Sequence, residues 1–370
     1  MKKYLLFVLV FISCTVSSWA QVSIYGFASS TGTYTPLAAE TILWADVFNE
    51  NISTSIPIPA FTMAWSTYTN MYVTSNGYIT LGTTAAPTLG YYTAISGTGT
   101  YDRALAPFCG RLTYAESGSP KISYNTNDAG EIVVQWQDVK RFGAAFSGQR
   151  LSFQLRMNPS TGTIRFVYGG TITGSAATTN FQVGLRGSTN ADYNNRTTTT
   201  NWSATTAGGT NAVTCPFSST VLPSVGLTFT FTACTAITTF PFTESFDGTT
   251  FVPGCWTNFN TAGPGTPGTW NRQTAGVSPV CTPHSGAAMA RFASWDYGAG
   301  TTGIMATPPL ALPSDQYEVH FWMYRDNGAP TGDDRVNVYC NYNLSPGTTG
   351  AFLLGTVHRY WASSPASDTA

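Results

Sequence analysis

The sequence predicts an all-β protein built from antiparallel β-sandwiches. Three observations carry that prediction. Apolar and polar residues alternate with period two over long stretches. Asn-Gly, Pro-Gly and Asn-Pro-Ser-Thr-Gly clusters punctuate those stretches, supplying turn chemistry at short intervals. Charged residues make up only 9% of the chain while aromatics reach 14%, so Thr, Ser, Asn and Gly clothe the surface and disorder is excluded. No segment reads as an amphipathic helix.

In chain order, Met1-Lys2-Lys3 precedes an apolar run from Tyr4 to Val16, and Ser18-Trp19-Ala20 fits a small-x-small cleavage site. Residues 1–20 are therefore expected to be a signal peptide, with Gln21 as the new N-terminus and no membrane insertion afterwards. Export places the mature chain in the secreted or outer-surface compartment. A lipoprotein site at Cys14 is the rival, but Phe-Ile-Ser ahead of it is a poor match.

Residues 21–235 form the first expected module. Tyr72–Ser75, Asn76-Gly77 and Tyr78–Leu81 read as a hairpin with a type I′ turn, which needs positive φ at both central residues. Ile132, Val134 and Trp136 alternate with polar neighbours. Leu151, Phe153, Leu155 and Met157 alternate with Ser152, Gln154 and Arg156, giving an apolar face to the core and a polar face to water. Asn158–Gly162 turns the chain into Thr163–Tyr168, and Leu227, Phe229 and Phe231 close the module.

Ala233–Pro241 is a linker without charge, and a second module is expected over 242–370. The net charge of −1 offers no footprint for nucleic acid or an acidic membrane. After cleavage six cysteines remain, which suggests disulfides, although six cysteines allow 15 pairings. Cys255 and Cys281, both flanked by loops, are the first choice for a bridge. There is no CxxC, GxSxG or HExxH.

The three histidines, His284, His320 and His358, do not sit in a catalytic motif. His284 lies in a proline-glycine turn and His320 in an alternating segment with Glu318 and Trp322 on its face. No pair of carboxylates marks a glycosidase cleft. Trp256 and Trp322 read as core residues. Trp270 and Trp295 stand beside loops, where their rings could stack on sugars or fill the interior. The loops Gly263–Gly268, Ser294–Gly303 and Asp326–Asp334 combine aromatics, amides and acids and are the candidate contact surface.

Two resemblances sharpen this reading. Thr243–Trp256, TESFDGTTFVPGCW, followed by His284-Ser-Gly286, Thr307–Leu312, Tyr317–Tyr324 and Arg335–Tyr339, resembles the MAM-like cleaved-adhesin or choice-of-anchor J modules. These modules occur in proteins exported by type IX secretion, including the adhesin regions of gingipains. The resemblance implies a jelly-roll sandwich of about 150 residues or more, so the 129 residues from Phe242 to Ala370 predict a jelly roll lacking its last strands. It also implies a structural calcium near the opening strand, with Glu244 and Asp247 as ligands. The oxygen-rich pair Asp333-Asp334 is the further candidate, against a reading as ordinary turn aspartates. Met71–Gly82, Ala104–Leu112 and Lys121–Trp136 resemble the nidogen-like β module that often precedes such adhesin modules. That pattern has an aromatic-plus-acid pair where this chain has Cys109-Gly110-Arg111.

The leading functional expectation is a non-catalytic exported protein that binds a surface polysaccharide or a host or matrix protein. The alternative is the accessory N-terminal part of a larger secreted peptidase or glycosidase. A structural stalk is the third.

Overall fold

The structure, a computed structural model, describes residues 22–64, 66–82, 92–262, 268–277, 280–324, 334–341, 351–360 and 367–369. The expected signal peptide, most of the Gly263–Gly268 loop and Asp333 lie outside the described residues.

Sixteen strands build the first module: β1 (Gly26–Thr31), β2 (Thr41–Ala45), β3 (Ile56–Met63), β4 (Ser66–Val73), β5 (Ile79–Leu81), β6 (Ala104–Cys109), β7 (Leu112–Tyr114), β8 (Lys121–Asp128), β9 (Glu131–Arg141), β10 (Leu151–Met157), β11 (Ile164–Tyr168), β12 (Thr179–Arg186), β13 (Tyr193–Thr197), β14 (Thr206–Ala207), β15 (Cys215–Phe217) and β16 (Leu227–Thr232). They form two eight-stranded sheets. One runs β1-β16-β11-β10-β9-β8-β2 with β7 also on β9, and the other runs β14-β13-β12-β6-β5-β4-β3 with β15 also on β12. The pairings are antiparallel, so the predicted fold class holds.

Ile132, Val134, Trp136, Leu151, Phe153, Leu155 and Met157 enter the core from one sheet, as the alternation predicts, and Phe61, Met71, Val73, Leu105, Phe108 and Val183 enter it from the other. Phe108 stands at the centre. Its ring stacks on Trp202 (5.1 Å, 7°) and Phe153 (5.4 Å, 26°) and meets Phe181, Phe217 and Tyr168 at 4.2–6.0 Å. Phe153 stacks in turn on Trp136 (5.1 Å, 15°), so one chain of rings spans both sheets. A register shift where β6 meets β12, between Gln182 and Gly184, lets Leu105 and Phe108 share the inner face although they stand an odd three positions apart.

Two local expectations change. The polar face of β10 is not in water: Ser152, Gln154 and, beside it on β9, Gln135 are 3% exposed or less. Residues 34–37 cover it. Gln135 Oε1 accepts from the Leu37 N–H at 3.0 Å, the Tyr34 hydroxyl at 3.2 Å and Gln154 Nε2 at 2.8 Å, while Gln154 Nε2 also donates to the Thr35 carbonyl. Amides serve here because each offers both donors and acceptors to a covering strap. The Asn76-Gly77 turn is also not a two-residue I′ turn. β4 and β5 pair Val73 with Ile79, and of the connecting residues only Gly77 has positive φ, at 76°. Asn76 instead serves the neighbouring β6–β7 turn, its carbonyl and Oδ1 accepting from Gly110 N and Leu112 N. A Cβ on Gly77 would stand 2.2 Å from the Phe108 carbonyl oxygen, so this position needs glycine on two grounds.

The second half contributes five two-stranded ladders: Thr257–Ala262 with Thr302–Ala306, Asn271–Gln273 with Met289–Arg291, Gly276–Val277 with Val280–Cys281, Trp322–Tyr324 with Ser367–Thr369, and Arg335–Cys340 with Phe352–His358. No pairing among the described residues joins them into the two sheets of a jelly roll. From residue 235 onward only Ala288, Pro308 and Val357 are buried apolar side chains among those described, and Phe352, Leu353 and Leu354 are 55–61% exposed.

Cys255 bonds to Cys234, with Cα atoms 5.6 Å apart, not to Cys281, which is free. The bridge ties the linker behind β16 to the Pro253-Gly254 turn, which a choice made within the second module alone overlooked. Cys109 and Cys215 are free and buried, and burial pushes each thiol up to about 12, so they act as inert core residues.

Candidate functional site

One cluster of ionisable and aromatic side chains in the first module is not consumed by sheet pairing. It forms where β6 turns into β7 and β9 ends. A Cβ on Gly110 would lie 2.6 Å from the Phe181 ring, so only glycine lets the backbone press against that ring and turn Arg111 outward. Leu112 pairs with Arg141 across the β7–β9 ladder. The Arg111 carbonyl accepts from both Phe142 N and Arg141 Nη1 at 2.9 Å. The Arg111 guanidinium stands 3.7 Å from the centre of the Phe142 ring and 5.7 Å from that of Tyr92, within cation–π range. Its Nε is 3.2 Å from Glu50 Oε1, an oxygen that also accepts the Tyr92 hydroxyl.

Among the described residues Arg141 has no carboxylate partner. Burial lowers its pKa and the neighbouring Arg111 charge lowers it further, although a guanidinium stays protonated at neutral pH. Its Nε is buried without a hydrogen-bond partner. Two neighbouring cations therefore stand with one acid, Glu50, which pairs with Arg111, whose guanidinium lies against the Phe142 and Tyr92 rings. The arrangement can hold an anionic group, but it supplies neither a nucleophile nor an acid–base pair: the adjacent Cys109 is a protonated thiol.

Elsewhere in the module Glu131 and Asp138 pair with arginines of the sheets. Glu131 accepts from Arg156 Nε at 2.8 Å and from Arg165 Nη2 at 2.6 Å. Burial opposes its ionisation, but those hydrogen bonds and charges outweigh burial and its pKa is lowered. Asp138 pairs with Arg150 at 2.9 Å and accepts from the Ser119 N–H. A cavity of about 340 Å³ is lined by neutral side chains, among them Ser23, Tyr193, Asn194 and Asn195.

The residues nominated from the sequence in the second half are separate pieces. Glu244 Oε1 accepts from Phe246 N at 2.6 Å. Asp247 Oδ1 accepts from the Ala287 and Ala288 amides, while Arg272 Nη2 donates to the Asp247 carbonyl. The Ala287 amide, then Ser245 and the weaker contacts hold the Asp247 carboxyl below its usual range. Asp247 thus closes the loop after His284-Ser-Gly286, a physical link between two motifs 40 residues apart. Asp334 Oδ2 accepts from Arg359 Nε at 2.9 Å. These carboxylates answer amides and guanidinium groups, and no group of three or more His, Cys, Asp or Glu among the described residues could hold a metal ion. As they stand, the described residues do not fit a calcium cage.

Trp270 is half-buried: its N–H and carbonyl bond the Asn258 side chain, its Nε1 donates to the Gly303 carbonyl, and its ring packs 5.6 Å from Phe292. Trp295, on the short 3-10 turn Ser294–Asp296, is 88% exposed. Trp322, expected in the core, is 58% exposed and stacks on His284 at 3.8 Å and 12°. His320 Nε2 lies 2.9 Å from Glu318 Oε2, but both side chains are about four-fifths exposed and stand on open surface rather than in a cleft. The Arg111 cluster was not nominated from the sequence. Its only signal was the Cys109-Gly110-Arg111 departure from the nidogen-like pattern, and the partner at Arg141-Phe142 is supplied by the β7–β9 ladder.

No helix among the described residues is long and apolar enough to cross a membrane. No curated protein and no solved structure matches the chain. A family model described as NIDO related matches residues 24–233, which begin two residues before β1 and end one residue after β16, taking in both eight-stranded sheets. With more than half of its length matched, this chain belongs to the NIDO-related family.

Proposed function

We propose that this protein is an exported, non-catalytic binding protein that attaches to a surface polysaccharide through exposed loops. The observation that carries the reading is Trp295, a large ring 88% exposed on a short turn. Leaving an indole in water forgoes its burial energy, and such rings are used to stack on the apolar faces of sugars. The 3-10 turn gives the ring a fixed base, with Asp296 N bonding back to the Ala293 carbonyl.

The chemistry of the rest supports a scaffold. Glu131 and Asp138 are spent on sheet-bound arginines, and the imidazole of His284 lies against Trp322 rather than beside a carboxylate. The family assignment, the alternating strands and the apolar leader Tyr4–Val16 support an extracellular setting. The likeness of Thr243–Tyr339 to cleaved-adhesin modules supports attachment as the role. The test is binding of the full chain to an immobilised polysaccharide panel, with Trp295→Ala compared with Trp270→Phe. Saturable binding lost in W295A supports the reading. Binding unaffected by W295A, or no polysaccharide bound, overturns it.

A further inference from the structure

The polysaccharide reading leaves the Arg111–Arg141 cluster unused, and this cluster carries an independent charge requirement. We propose that the Arg111–Arg141 end of the first sandwich binds the carboxylate groups of a uronic-acid polysaccharide. The inference deepens the polysaccharide reading and rests on it.

Two guanidinium groups and one carboxylate leave a net positive site, and the single acid, Glu50, is already shared between Arg111 Nε and the Tyr92 hydroxyl. Arg111 is about one-third exposed, so it faces solvent while its rim is protein. Arg141 is pressed against the Arg111 carbonyl and lowered in pKa by burial and then by Arg111. Arg141 ties β9 to the β6–β7 turn through the Arg111 carbonyl, and that bond leaves its charge without a carboxylate among the described residues. A bound anion would neutralise this charge together with that of Arg111.

Shape selects among anions. A guanidinium is planar and holds a carboxylate through two parallel N–H···O bonds. Beside the Arg111 guanidinium lie two rings, Phe142, 42% exposed, and Tyr92. A uronate carries one carboxylate on a ring with apolar C–H faces, and so presents charge and a stacking surface together. The chain's net charge of −1 gives no long-range attraction for a densely charged polyanion. Recognition must then be local and read one carboxylate at a time.

Calorimetric titration of the full chain with polygalacturonate, its methyl ester, dextran sulfate and a neutral glucan tests this. Arg111→Gln and Arg141→Gln should each weaken polygalacturonate binding by about tenfold, the loss expected for one hydrogen bond to a charged group. The neutral glucan should bind these variants as it binds the parent. The methyl ester should bind like the neutral glucan, and dextran sulfate more weakly than polygalacturonate. Arg141 also ties β9 to the β6–β7 turn, so Glu50→Gln supplies a variant that keeps that tie. By removing the one competing carboxylate it should tighten polygalacturonate binding several-fold.

Polygalacturonate binding that ignores all three substitutions, or that survives methyl esterification, overturns the proposal while leaving the polysaccharide reading intact. So does preference for the neutral glucan or for dextran sulfate. If no polysaccharide binds at all, the underlying reading fails and this inference fails with it.

Discussion

Replacing Phe108 by alanine tests the packing that holds the two sheets together. Phe108 is fully buried and contacts five other rings, two of them stacked. Truncating a core Phe costs about 3–5 kcal/mol, set by how far the surroundings relax. Here relaxation is restricted, because Trp202 and Phe153 are themselves anchored: Trp202 Nε1 donates to the Pro216 carbonyl at 2.9 Å and Phe153 is stacked on Trp136. The loss should therefore exceed the lower end, at about 4 kcal/mol. For a domain of this size that is a drop in Tm of roughly 8–16 °C. Phe108→Leu keeps most of the volume and should cost about 1–2 kcal/mol. Urea denaturation followed by tryptophan fluorescence measures both, and near-UV circular dichroism reports the stacked rings. A loss below about 1.5 kcal/mol for F108A, half the smallest cost expected of such a truncation, would show that the ring chain does not join the sheets.

Further outcomes follow from the same geometry. Cys234→Ser or Cys255→Ser should destabilise by about 3 kcal/mol, the chain-entropy value for closing a loop of this size, whereas Cys281→Ser should leave melting unchanged; the opposite result would restore the Cys255–Cys281 pairing. Glu131 has a lowered pKa in the fold, so its contribution is present above the ordinary glutamate value of about 4.3 and is lost as pH falls through its lower folded value. Acid denaturation of Glu131→Gln should therefore begin from lower stability and show a shallower acid limb, read from urea midpoints between pH 6 and pH 3. Because Glu244, Asp247 and Asp334 answer amides and guanidinium groups, chelator should not move the melting curve; a drop in Tm reversed by calcium would return the calcium site to the second half.

Local pattern was legible wherever one strand decides its own face. The inward face of Leu151, Phe153, Leu155 and Met157, the Asn158–Gly162 turn and the partner strand to Tyr168 stand as read, with Asn158 Oδ1 accepting from Ser160 N and Thr161 N. What failed depended on a second segment. Asn76 looked like a turn residue but is spent on the β6–β7 turn. Gln154 and Gln135 look solvent-facing by period, and only the strap at 34–37 buries them. Cys255 found its partner across the linker. The Arg111 cluster joins residues from four separate stretches of chain, and no periodicity encodes such a meeting. Asp247, by contrast, was singled out as a residue with a job; its burden is a pair of loop amides.

The central claim is binding without turnover, and one measurement meets it directly. Purified full-length protein is titrated with polygalacturonate and a neutral glucan in a calorimeter, and the same samples are assayed afterwards for new reducing ends. Saturable heat, weakened by W295A, with no reducing ends formed, is the expected result. Product that accumulates in proportion to protein, and that disappears in His284→Ala or His320→Ala, would contradict it.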